Sequence, residues 1–185
     1  MIGCDGMVQI RRARDADARG IAEVHVASWR EAYRDLLPAS LLNALTVEAR
    51  ESNWRDELRA MGPGAAPWVA EVNGQTVGFV ACGGARDETA DPLTGEVYAI
   101  HVLPDCWRRG VGRSLLGHAE RDLISHGYDD AVIWVLADDQ RRRAFYEWVG
   151  WHADGGTRLD AIGGVEVEEV RYRIALERSR VAELV

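Results

Sequence analysis

Apolar and polar residues alternate along the first half of the chain in patterns that predict both strands and helices. Val8–Arg11, Pro67–Val72 and Gln75–Cys82 have the alternation or the β-prone composition of strands. The last two are joined by Asn73-Gly74, a pair that favours a two-residue hairpin turn. The pattern therefore predicts an N-terminal strand and, later, a β-hairpin.

Between these strands the hydrophobic period changes to that of a helix. Asp15 and Asp17 precede residues that recur on one helical face as far as Ala32, which predicts a first helix. Pro38 interrupts this pattern, and a second helical region is predicted from about Ala39 to Met61.

The second half of the chain continues with alternating strands and helices. A β-prone run from Glu96 to Val102 is followed by a helix to about Ser125, a buried strand at Ala131–Leu136 and a short helix at Gln140–Val149. Two alternating strands are predicted within Trp151–Leu176. The resulting order, β-α-α-β-β-β-α-β-α-β-β, is that of an α/β domain with a mixed sheet.

A glycine-containing turn separates the central strand from the helix that follows it. Gly110 and Gly112 stand where this helix begins, and Arg108, Arg109 and Arg113 surround them. The first turn of a helix has unpaired N–H groups and a positive dipole end, so it binds anions. Glycine lets a ligand approach the backbone, and guanidinium groups suit phosphate oxygens. The pattern indicates a phosphate-binding loop, although a turn that only connects two elements has the same local sequence.

The composition is that of one globular domain. The chain has 185 residues and is 47% hydrophobic, which is enough for a substantial core, so a single domain is expected over residues 1–185. Its apolar runs are shorter than a membrane span, and its N-terminus lacks the layout of a signal peptide. We therefore expect a cytoplasmic protein that is not inserted in a membrane.

The charged residues narrow the chemistry further. All 22 basic residues are arginine, which excludes catalysis by a Schiff-base or P-loop lysine. The net charge of −8 argues against nucleic-acid binding and favours a cationic small molecule or a basic peptide end as partner. A weaker alternative, since no basic surplus supports it, is an RNA-binding surface built from Arg108, Arg109, Arg113 and Arg141–Arg143.

The cysteines and histidines indicate no metal site. Cys4, Cys82 and Cys106 have no C-x-x-C spacing, which argues against a disulfide framework or a zinc site. The five histidines form no H-E-x-x-H or comparable pair of ligands. We expect no bound metal.

Two blocks of the sequence resemble the GCN5-related N-acetyltransferase (GNAT) family. Its phosphate loop, Q/R-x-x-G-x-G/A after the fourth strand, is matched by Gly110 and Gly112, with Trp107 in place of Gln or Arg. The family pattern of a strand followed by N-x-x-x-x-x-F-Y-x-x-x-G-F is similar to Trp134–Trp151, where Asp139 replaces Asn and Trp151 replaces Phe. The resemblance covers the chain nearly end to end, and it implies a single-domain GNAT-like fold with a mixed, mostly antiparallel sheet flanked by helices.

The resemblance also implies acetyl-CoA as cosubstrate. In the family, backbone groups of the fourth strand bind the thioester and pantetheine, the loop binds the pyrophosphate, and the residue at Asp139 contacts the pantetheine amides. The cofactor-binding residues carried over in this way are Ile100, His101, Val102, Arg108, Arg109, Gly110, Val111, Gly112, Arg113 and Asp139.

The resemblance further implies transfer of an acetyl group to an amine by two catalytic residues. The amine must lose a proton before it attacks, and Glu96 is the leading base, with a water chain as the alternative. Tyr146 matches the family tyrosine that gives a proton to the departing CoA thiolate. From the residues alone, Glu96 would be a solvated carboxylate and Tyr146 a packing aromatic.

The acceptor side is predicted from the first helix. Trp29 and Tyr33 lie four residues apart, a spacing typical of core packing, but in the family the first helices shape the acceptor pocket. Aromatic rings beside a carboxylate suit a cation, so we expect a small primary amine or a peptide α-amine. A non-catalytic acyl-CoA sensor of the same fold is the alternative function, and the sequence leaves open whether the protein forms a homodimer.

Overall fold

The computed structural model describes residues 6–61, 65–87 and 90–177, which contain both α-helices and β-strands. The strands are β1 (Gln9–Arg12), β2 (Trp68–Val72), β3 (Gln75–Gly84), β4 (Thr94–Val102), β5 (Asp130–Leu136), β6 (His152–Ile162) and β7 (Val165–Ala175). The α-helices are α1 (Ala18–Ala32), α2 (Ala39–Ala44), α3 (Val47–Ala60), α4 (Val111–Ser125) and α5 (Gln140–Trp148). The predicted α/β class is confirmed.

The strands form one seven-stranded sheet in the order β1-β2-β3-β4-β5-β7-β6. β4 and β5 run parallel, whereas β1-β2, β2-β3, β5-β7 and β6-β7 are antiparallel pairs. The hairpin turns have positive φ at both central residues, 52° and 77° at Asn73-Gly74 and 58° and 82° at Gly163-Gly164. Such turns match the twist of the strands they join, and the expectation of a mixed, mostly antiparallel sheet is confirmed.

The second predicted helix is in fact two helices. The region from Ala39 to Met61 contains α2 and α3, which are separated at Leu45 and Thr46. Thr46 has extended backbone angles, and its side-chain oxygen accepts a hydrogen bond from the Ala49 N–H. This cap ends one helix and begins the next, because it satisfies a donor in the first turn of α3.

The chain divides into two compact units. Unit 1 lies within Met1–Ala81 and Ala99–Ala119, and unit 2 lies within Cys82–Tyr98 and Glu120–Val185. In unit 1 the buried face of α1 includes Ile21 and Val24, both fully buried, as the helical periodicity predicts. The expected single domain over residues 1–185 stays a prediction.

An ion-pair cluster fixes the beginning of α1 in unit 1. Both Nη atoms of Arg11 donate to the carboxylate of Asp17 at 2.7 Å, and Arg11 also pairs with Glu71. Asp17 accepts a further hydrogen bond from the Arg14 N–H at 2.6 Å. Burial acts to raise the pKa of Asp17, but the bonds from Arg11 and Arg14 outweigh it and hold this pKa below its ordinary value.

A buried tryptophan in unit 2 explains one departure from the family pattern. Trp151, where the family has Phe, is 2% exposed and donates its indole N–H to Glu120 Oε1 at 2.9 Å. Glu120 on α4 is equally buried. Because a buried indole N–H needs an acceptor, Trp151 is accommodated by this carboxylate rather than by apolar packing alone.

Candidate functional site

The loop between β4 and α4 has a backbone shaped by two left-handed residues. Arg108 has φ 60° and Gly110 has φ 83°, and an added Cβ at Gly110 would meet nothing within 4 Å. Glycine is therefore favoured at this position by its conformation and not by lack of space. Left-handed residues in such a turn direct successive N–H groups into one concavity, an arrangement that binds anions.

The loop is fastened to the strands on which it rests. The N–H of Leu103 donates to the Val77 carbonyl at 2.8 Å, and the indole N–H of Trp107 donates to the Val102 carbonyl at 2.8 Å. Trp107, which replaces the family's Gln or Arg, thus ties the loop to the end of β4. The side chain is structural at this contact, and no sequence pattern predicted it.

Helix α4 approaches the sheet closely behind this loop. An added Cβ at Gly78 on β3 would lie 2.9 Å from Leu115 Cδ1 and 3.0 Å from the His101 carbonyl oxygen. The absence of a side chain at Gly78 therefore sets how near α4 packs. The helix begins at Val111, and Arg108, Arg109 and Arg113 are exposed around its N-terminus.

The side chain of His101 lies in an aromatic cluster of unit 1. Its ring is stacked on that of His25, with centroids 5.0 Å apart and an interplanar angle of 13°. Phe79 and Trp29 follow at 5.3 and 6.4 Å. The sequence predicted a backbone role for His101, whereas its buried ring contacts α1 and β3.

A serine on α1 holds the His101 ring. Ser28 Oγ donates to the His25 carbonyl at 3.0 Å and lies 3.0 Å from His101 Nδ1. Ser28 is 2% exposed and His101 is 7% exposed. Both contacts are therefore shielded from bulk water.

The predicted acceptor residues belong to the same aromatic cluster. Trp29 and Tyr33 contact edge to face, with centroids 5.1 Å apart, and Tyr33 is buried. The buried Trp29 Nε1 has no hydrogen-bond partner among the described residues. The guanidinium of Arg50 on α3 lies 5.9 Å from the Trp29 ring centre, so one face of this ring already has a cation nearby.

Backbone pairing between β4 and β5 is short. The ladder covers three pairs, from Thr94 opposite Asp130 to Glu96 opposite Val132. β5 continues beyond this point, where Ile133 to Leu136 pair with β7. Ile100, His101 and Val102 therefore lie past the end of the β4–β5 ladder.

Glu96 in unit 2 is enclosed by one arginine. Its side chain is 3% exposed, Oε2 accepts from the Arg86 N–H at 2.9 Å, and Oε1 accepts from Arg86 Nε at 3.2 Å and from Nη2. The Glu96 hydrogen bond holds the pKa of Arg86 above its ordinary value. The expectation of a solvated strand-end carboxylate, raised as the alternative to a base, does not fit this burial.

Tyr98 packs against Arg86 in unit 2. The Arg86 guanidinium lies 4.4 Å from the Tyr98 ring centre, and the Tyr98 hydroxyl donates to the Gly84 carbonyl at 2.6 Å. Burial, assisted by the Glu96 charge, raises the pKa of Tyr98. Arg86 is thus held by a carboxylate and by an aromatic face.

Tyr146 is buried among aromatic rings of unit 2. It is 3% exposed, and its ring lies 6.1 Å from that of Trp151 and 5.9 Å from that of Tyr172. The Tyr172 hydroxyl donates to Glu147 Oε1 at 2.7 Å and accepts from Arg143 Nε at 3.2 Å. Burial raises the pKa of Tyr172.

Asp139 caps helix α5. Its Oδ1 accepts a hydrogen bond from the Arg142 N–H at 2.9 Å, and Oδ2 lies 3.4 Å from Arg142 Nε. The bond at Oδ1 is one that the family's asparagine would accept equally well, so the replacement keeps the helix cap. Of the adjacent arginines, Arg143 donates to the Ala137 carbonyl at 2.9 Å.

The sequence did not predict which side chains contact His101 and Glu96. Ser28 and His25 lie on the α1 face that carries Trp29, so helical spacing alone could have found them. Arg86 lies in a loop after β3, where no periodicity points to Glu96. Of the cysteines, Cys106 is buried, and the Cys82 thiol donates a hydrogen bond to Asp122 Oδ2 at 3.6 Å.

Two features of residues 6–61, 65–87 and 90–177 bear on membrane proteins and metalloproteins. No helix in these ranges is long and apolar enough to cross a membrane. The same residues contain no group of three or more His, Cys, Asp or Glu arranged to hold a metal ion.

A family model and individual known proteins that are similar to this chain indicate the same family. The model of the acetyltransferase (GNAT) family matches residues 10–151. The uncharacterized N-acetyltransferase YuaI of Bacillus subtilis is 35% identical over 132 residues, which are 70% of this chain and 72% of that protein.

Solved structures share the fold. The PaiA N-acetyltransferase of Thermoplasma acidophilum, in complex with coenzyme A, aligns with a TM-score of 0.68 over 88% of this chain and 98% of its own, at 17% identity. The yncA protein of Salmonella typhimurium, with its cofactor acetyl-CoA, aligns with a TM-score of 0.69 over 94% and 96%, at 18% identity.

Proposed function

Because the chain belongs to the acetyltransferase (GNAT) family, we propose that it moves the acetyl group of acetyl-CoA to a primary amine of a small molecule or a peptide. The amine attacks the thioester directly while both substrates are bound. The observation that carries this proposal is the loop in which left-handed Arg108 and Gly110 precede the first turn of α4.

The pyrophosphate of acetyl-CoA binds to this loop. The N–H groups of Gly110, Val111 and Gly112 belong to the turn that begins α4, where helical donors have no intrahelical acceptor. The exposed guanidinium groups of Arg108, Arg109 and Arg113 add positive charge beside the phosphates. Binding by backbone donors explains why Trp107 is tolerated, since its side chain serves the loop itself.

The thioester and pantetheine bind along the backbone of Ile100, His101 and Val102. The short β4–β5 ladder supports this assignment, because these residues lie beyond the pairs that end at Glu96. A backbone N–H that is not used in a ladder is available to the oxyanion of the tetrahedral intermediate. Asp139, which the resemblance assigns to the pantetheine amides, also caps α5 through Oδ1.

Tyr146 supplies the proton for the leaving group. When the tetrahedral intermediate collapses, the carbon–sulfur bond breaks and the CoA thiolate takes a proton from the phenol. The burial of Tyr146 supports this role, because it excludes water that would compete for the thiolate. Glu96 stays a prediction as the base, and its carboxylate is bonded to Arg86.

The amine acceptor binds against Trp29 and Tyr33. The edge-to-face pair supports an apolar wall, and the buried Trp29 N–H is a donor to which an acceptor oxygen on the amine substrate can bond. An amine that also carries a carbonyl or hydroxyl oxygen, such as a peptide end or an amino sugar, fits both features.

A matched pair of glycine substitutions tests the phosphate loop. Gly110 has φ 83° and Gly127 has φ 89°, and an added Cβ would meet nothing within 4 Å at either residue. Gly110→Ala and Gly127→Ala should each cost about 1–2 kcal/mol of stability, because an alanine is strained at positive φ. Only Gly110→Ala should weaken acetyl-CoA binding in calorimetric titration, by about tenfold or more for the loss of one backbone contact near 1.4 kcal/mol. Equal affinities for the two variants would contradict the loop assignment.

Turnover tests the catalytic proposal and its alternative. The wild type should release CoA faster than background with at least one member of a panel of amines, amino sugars and peptides. Tyr146→Phe should lower kcat by about 10²-fold while acetyl-CoA affinity is kept, because only the acid is removed. Tight acetyl-CoA binding without transfer to any amine would instead favour the non-catalytic sensor.

A further inference from the structure

We propose that one face of the unit 2 sheet binds an acidic peptide segment, whose carboxylates pair with the solvent-facing ends of Arg158, Arg171 and Arg173. These residues are not among those assigned to acetyl-CoA or to the amine. The inference concerns binding alone, so it does not depend on the proposed acetyl transfer.

Strand pairing brings the residues of this surface to one side of the sheet. Trp134 on β5 is opposite Arg171 on β7, and Glu169 on β7 is opposite both Leu136 on β5 and Arg158 on β6. Residues that are directly opposite each other point to the same side, and so do residues two apart in one strand. We call this surface the arginine face, and it consists of Trp134, Arg158, Glu169, Arg171 and Arg173.

The other side of the same strands is covered by helices. The ring of Tyr172, which alternates with the arginines of β7, lies 5.9 Å from that of Tyr146 on α5. Gly95 on β4 is opposite Ala131 on β5, and an added Cβ at Gly95 would lie 2.8 Å from Leu123 Cδ2 on α4. Within the described residues of unit 2, α5 and this part of α4 therefore pack on the side away from the arginine face.

The ion pairs of the arginine face leave the cations nearer to solvent than the carboxylates. Arg158 Nε donates to Glu169 Oε2 at 2.7 Å, and the Arg158 side chain is 38% exposed against 12% for Glu169. Arg171 Nε donates to both oxygens of Asp154, at 2.8 and 3.1 Å, and is 26% exposed against 13% for Asp154. This face thus presents positive charge to a ligand although the whole chain has a net charge of −8.

The same arginines have hydrogen-bond donors to spare. In the part of the chain that the structure describes, Arg171 makes hydrogen bonds through Nε alone, which leaves both Nη groups for a ligand. Arg158 uses Nε and Nη2 with Glu169 and keeps Nη1. Arg173 uses Nε with Asp154 and Nη1 with Asp130, and keeps Nη2. Because guanidinium N–H groups match the two oxygens of a carboxylate, the chemistry that fits these donors is that of a carboxylate ligand.

The arginines are held in place by contacts within unit 2. The Trp134 ring centre lies 4.3 Å from the Arg158 guanidinium and 5.5 Å from that of Arg171. An added Cβ at Gly156 on β6 would lie 2.8 Å from Arg171 Nε and 3.0 Å from Cζ, so the missing side chain makes room for this guanidinium. Donors that are fixed before a ligand arrives lose less conformational entropy when it binds.

The carboxylate beneath Arg171 is charged. Burial acts to raise the pKa of Asp154, but hydrogen bonds from the Gly156 N–H, Arg173 and Arg171 outweigh it and hold this pKa below its ordinary value. Asp154 therefore anchors the two arginines at neutral pH through their Nε atoms.

The spacing of the arginines favours a peptide over a small anion. Arg171 and Arg173 are two residues apart on one side of β7, which separates them by roughly 7 Å along the strand. An extended peptide repeats its side chains on one side at the same interval, so carboxylates two residues apart can meet both arginines. A small anion would meet one arginine at a time. Clusters of arginine are also a recurrent way to recognise acidic motifs.

The test is a titration with three peptides blocked at both ends. Gly-Glu-Ser-Glu-Gly has its carboxylates two residues apart, Gly-Gln-Ser-Gln-Gly has none, and Gly-Glu-Glu-Ser-Gly has the same charge on adjacent residues. The first should bind about tenfold more tightly than the second, because charge-assisted hydrogen bonds are lost with the carboxylates. It should also bind more tightly than the third, and added salt should weaken its binding.

Substitutions with a matched control locate the site. Arg171→Gln and Arg158→Gln should each lower the affinity for Gly-Glu-Ser-Glu-Gly by about tenfold. The control is Arg12→Gln in unit 1, where the Arg12 guanidinium lies 4.2 Å from the Trp68 ring centre and Nη1 donates to the Ala66 carbonyl. This variant also removes an arginine from a tryptophan ring, and it should leave peptide affinity unchanged.

A further variant keeps every charge. Gly156→Ala should displace Arg171 without removing it, and so should weaken binding of the glutamate peptide while the chain stays folded in urea unfolding. The indole N–H signal of Trp134 in the NMR spectrum, assigned with Trp134→Phe, should shift with this peptide in the wild type and not in Arg171→Gln.

Three results would overturn the inference. They are equal affinities for the glutamate and glutamine peptides, equal affinities for the spaced and adjacent glutamates, and the same loss of affinity in Arg12→Gln as in Arg171→Gln. The blocked peptides carry no amine to acetylate. Absence of acetyl transfer would therefore contradict the proposed function and leave this binding result as it stands.

Discussion

Unit 1 and unit 2 surround their buried polar side chains in opposite ways. In unit 1, His101 is surrounded by aromatic rings and contacts the neutral hydroxyl of Ser28. In unit 2, Glu96 is enclosed by the guanidinium and backbone N–H of Arg86, which itself lies over Tyr98.

The difference shows that two buried polar side chains can be positioned by different chemistry. A buried carboxylate without a partner is costly, and Arg86 supplies that partner to Glu96. The His101 ring is positioned instead by Ser28 Oγ at 3.0 Å from Nδ1 and by the stacked ring of His25.

The largest expected effect comes from breaking the ion pair of unit 2. Arg86→Met should lower the free energy of unfolding by about 2–3 kcal/mol, because the buried Glu96 carboxylate loses its cation. Part of the full cost of a buried charge is spared, because the Arg86 side chain is 60% exposed and water reaches it. Urea unfolding at neutral pH measures the change.

A double-mutant cycle sharpens this result. Glu96→Gln should be milder than Arg86→Met, and the double variant should recover most of the loss, since no charge is then left buried. The prediction of Glu96 as the base also implies a loss of about 10²-fold in kcat for Glu96→Gln, and unchanged turnover would contradict that role.

The buried carboxylate of Glu120, also in unit 2, tests whether the neutral indole N–H of Trp151 is enough to stabilise a buried carboxylate. Trp151→Phe restores the residue usual in the family but removes the indole donor from the buried Glu120, so it should cost about 1–3 kcal/mol. Combining it with Glu120→Gln should reduce the cost, because a neutral side chain is cheaper to bury. Stability equal to that of the wild type for Trp151→Phe alone would show that Glu120 does not depend on the indole.

The smallest effect concerns the ion pair of unit 1 and depends on pH. The pKa of Asp17 is lower in the folded protein, so its contribution is present above about pH 4, the ordinary range for aspartate, and is lost as the pH falls through the folded value. Asp17→Asn should therefore lower stability by about 1 kcal/mol at pH 7. Thermal unfolding between pH 7 and pH 3 should show the two proteins converging in acid. A constant difference would mean that the charge of Asp17 is not what matters.

Local patterns predicted most of the fold. The turn at Asn73-Gly74 was predicted because Asn and Gly tolerate the positive φ that a two-residue hairpin turn requires. The break between α2 and α3 was missed because a threonine cap is a short signal inside a long helical pattern. The residue at which a helix begins or ends depends on single hydrogen bonds, whereas the hydrophobic period that predicts the helix is an average over many residues.

The candidate site was predicted in parts. Trp29, Tyr33 and His101 were each chosen from the sequence, and the structure brings all three into one aromatic cluster. The role of Trp107 in fastening the loop was not predictable, because its acceptor is a backbone carbonyl. Every residue type has the same backbone carbonyl, so the sequence does not show which carbonyl a side chain will bond.

The sequence by itself determined the order of elements, the glycine loop and the family, because each of these depends on residues close together in the chain. Only the tertiary structure decided that Ser28 holds His101, 73 positions away, and that Arg86 encloses Glu96. Those pairings depend on which side chains meet when helix α1 and the loop after β3 fold against β4. The direction and partner of a single polar group are set by that packing.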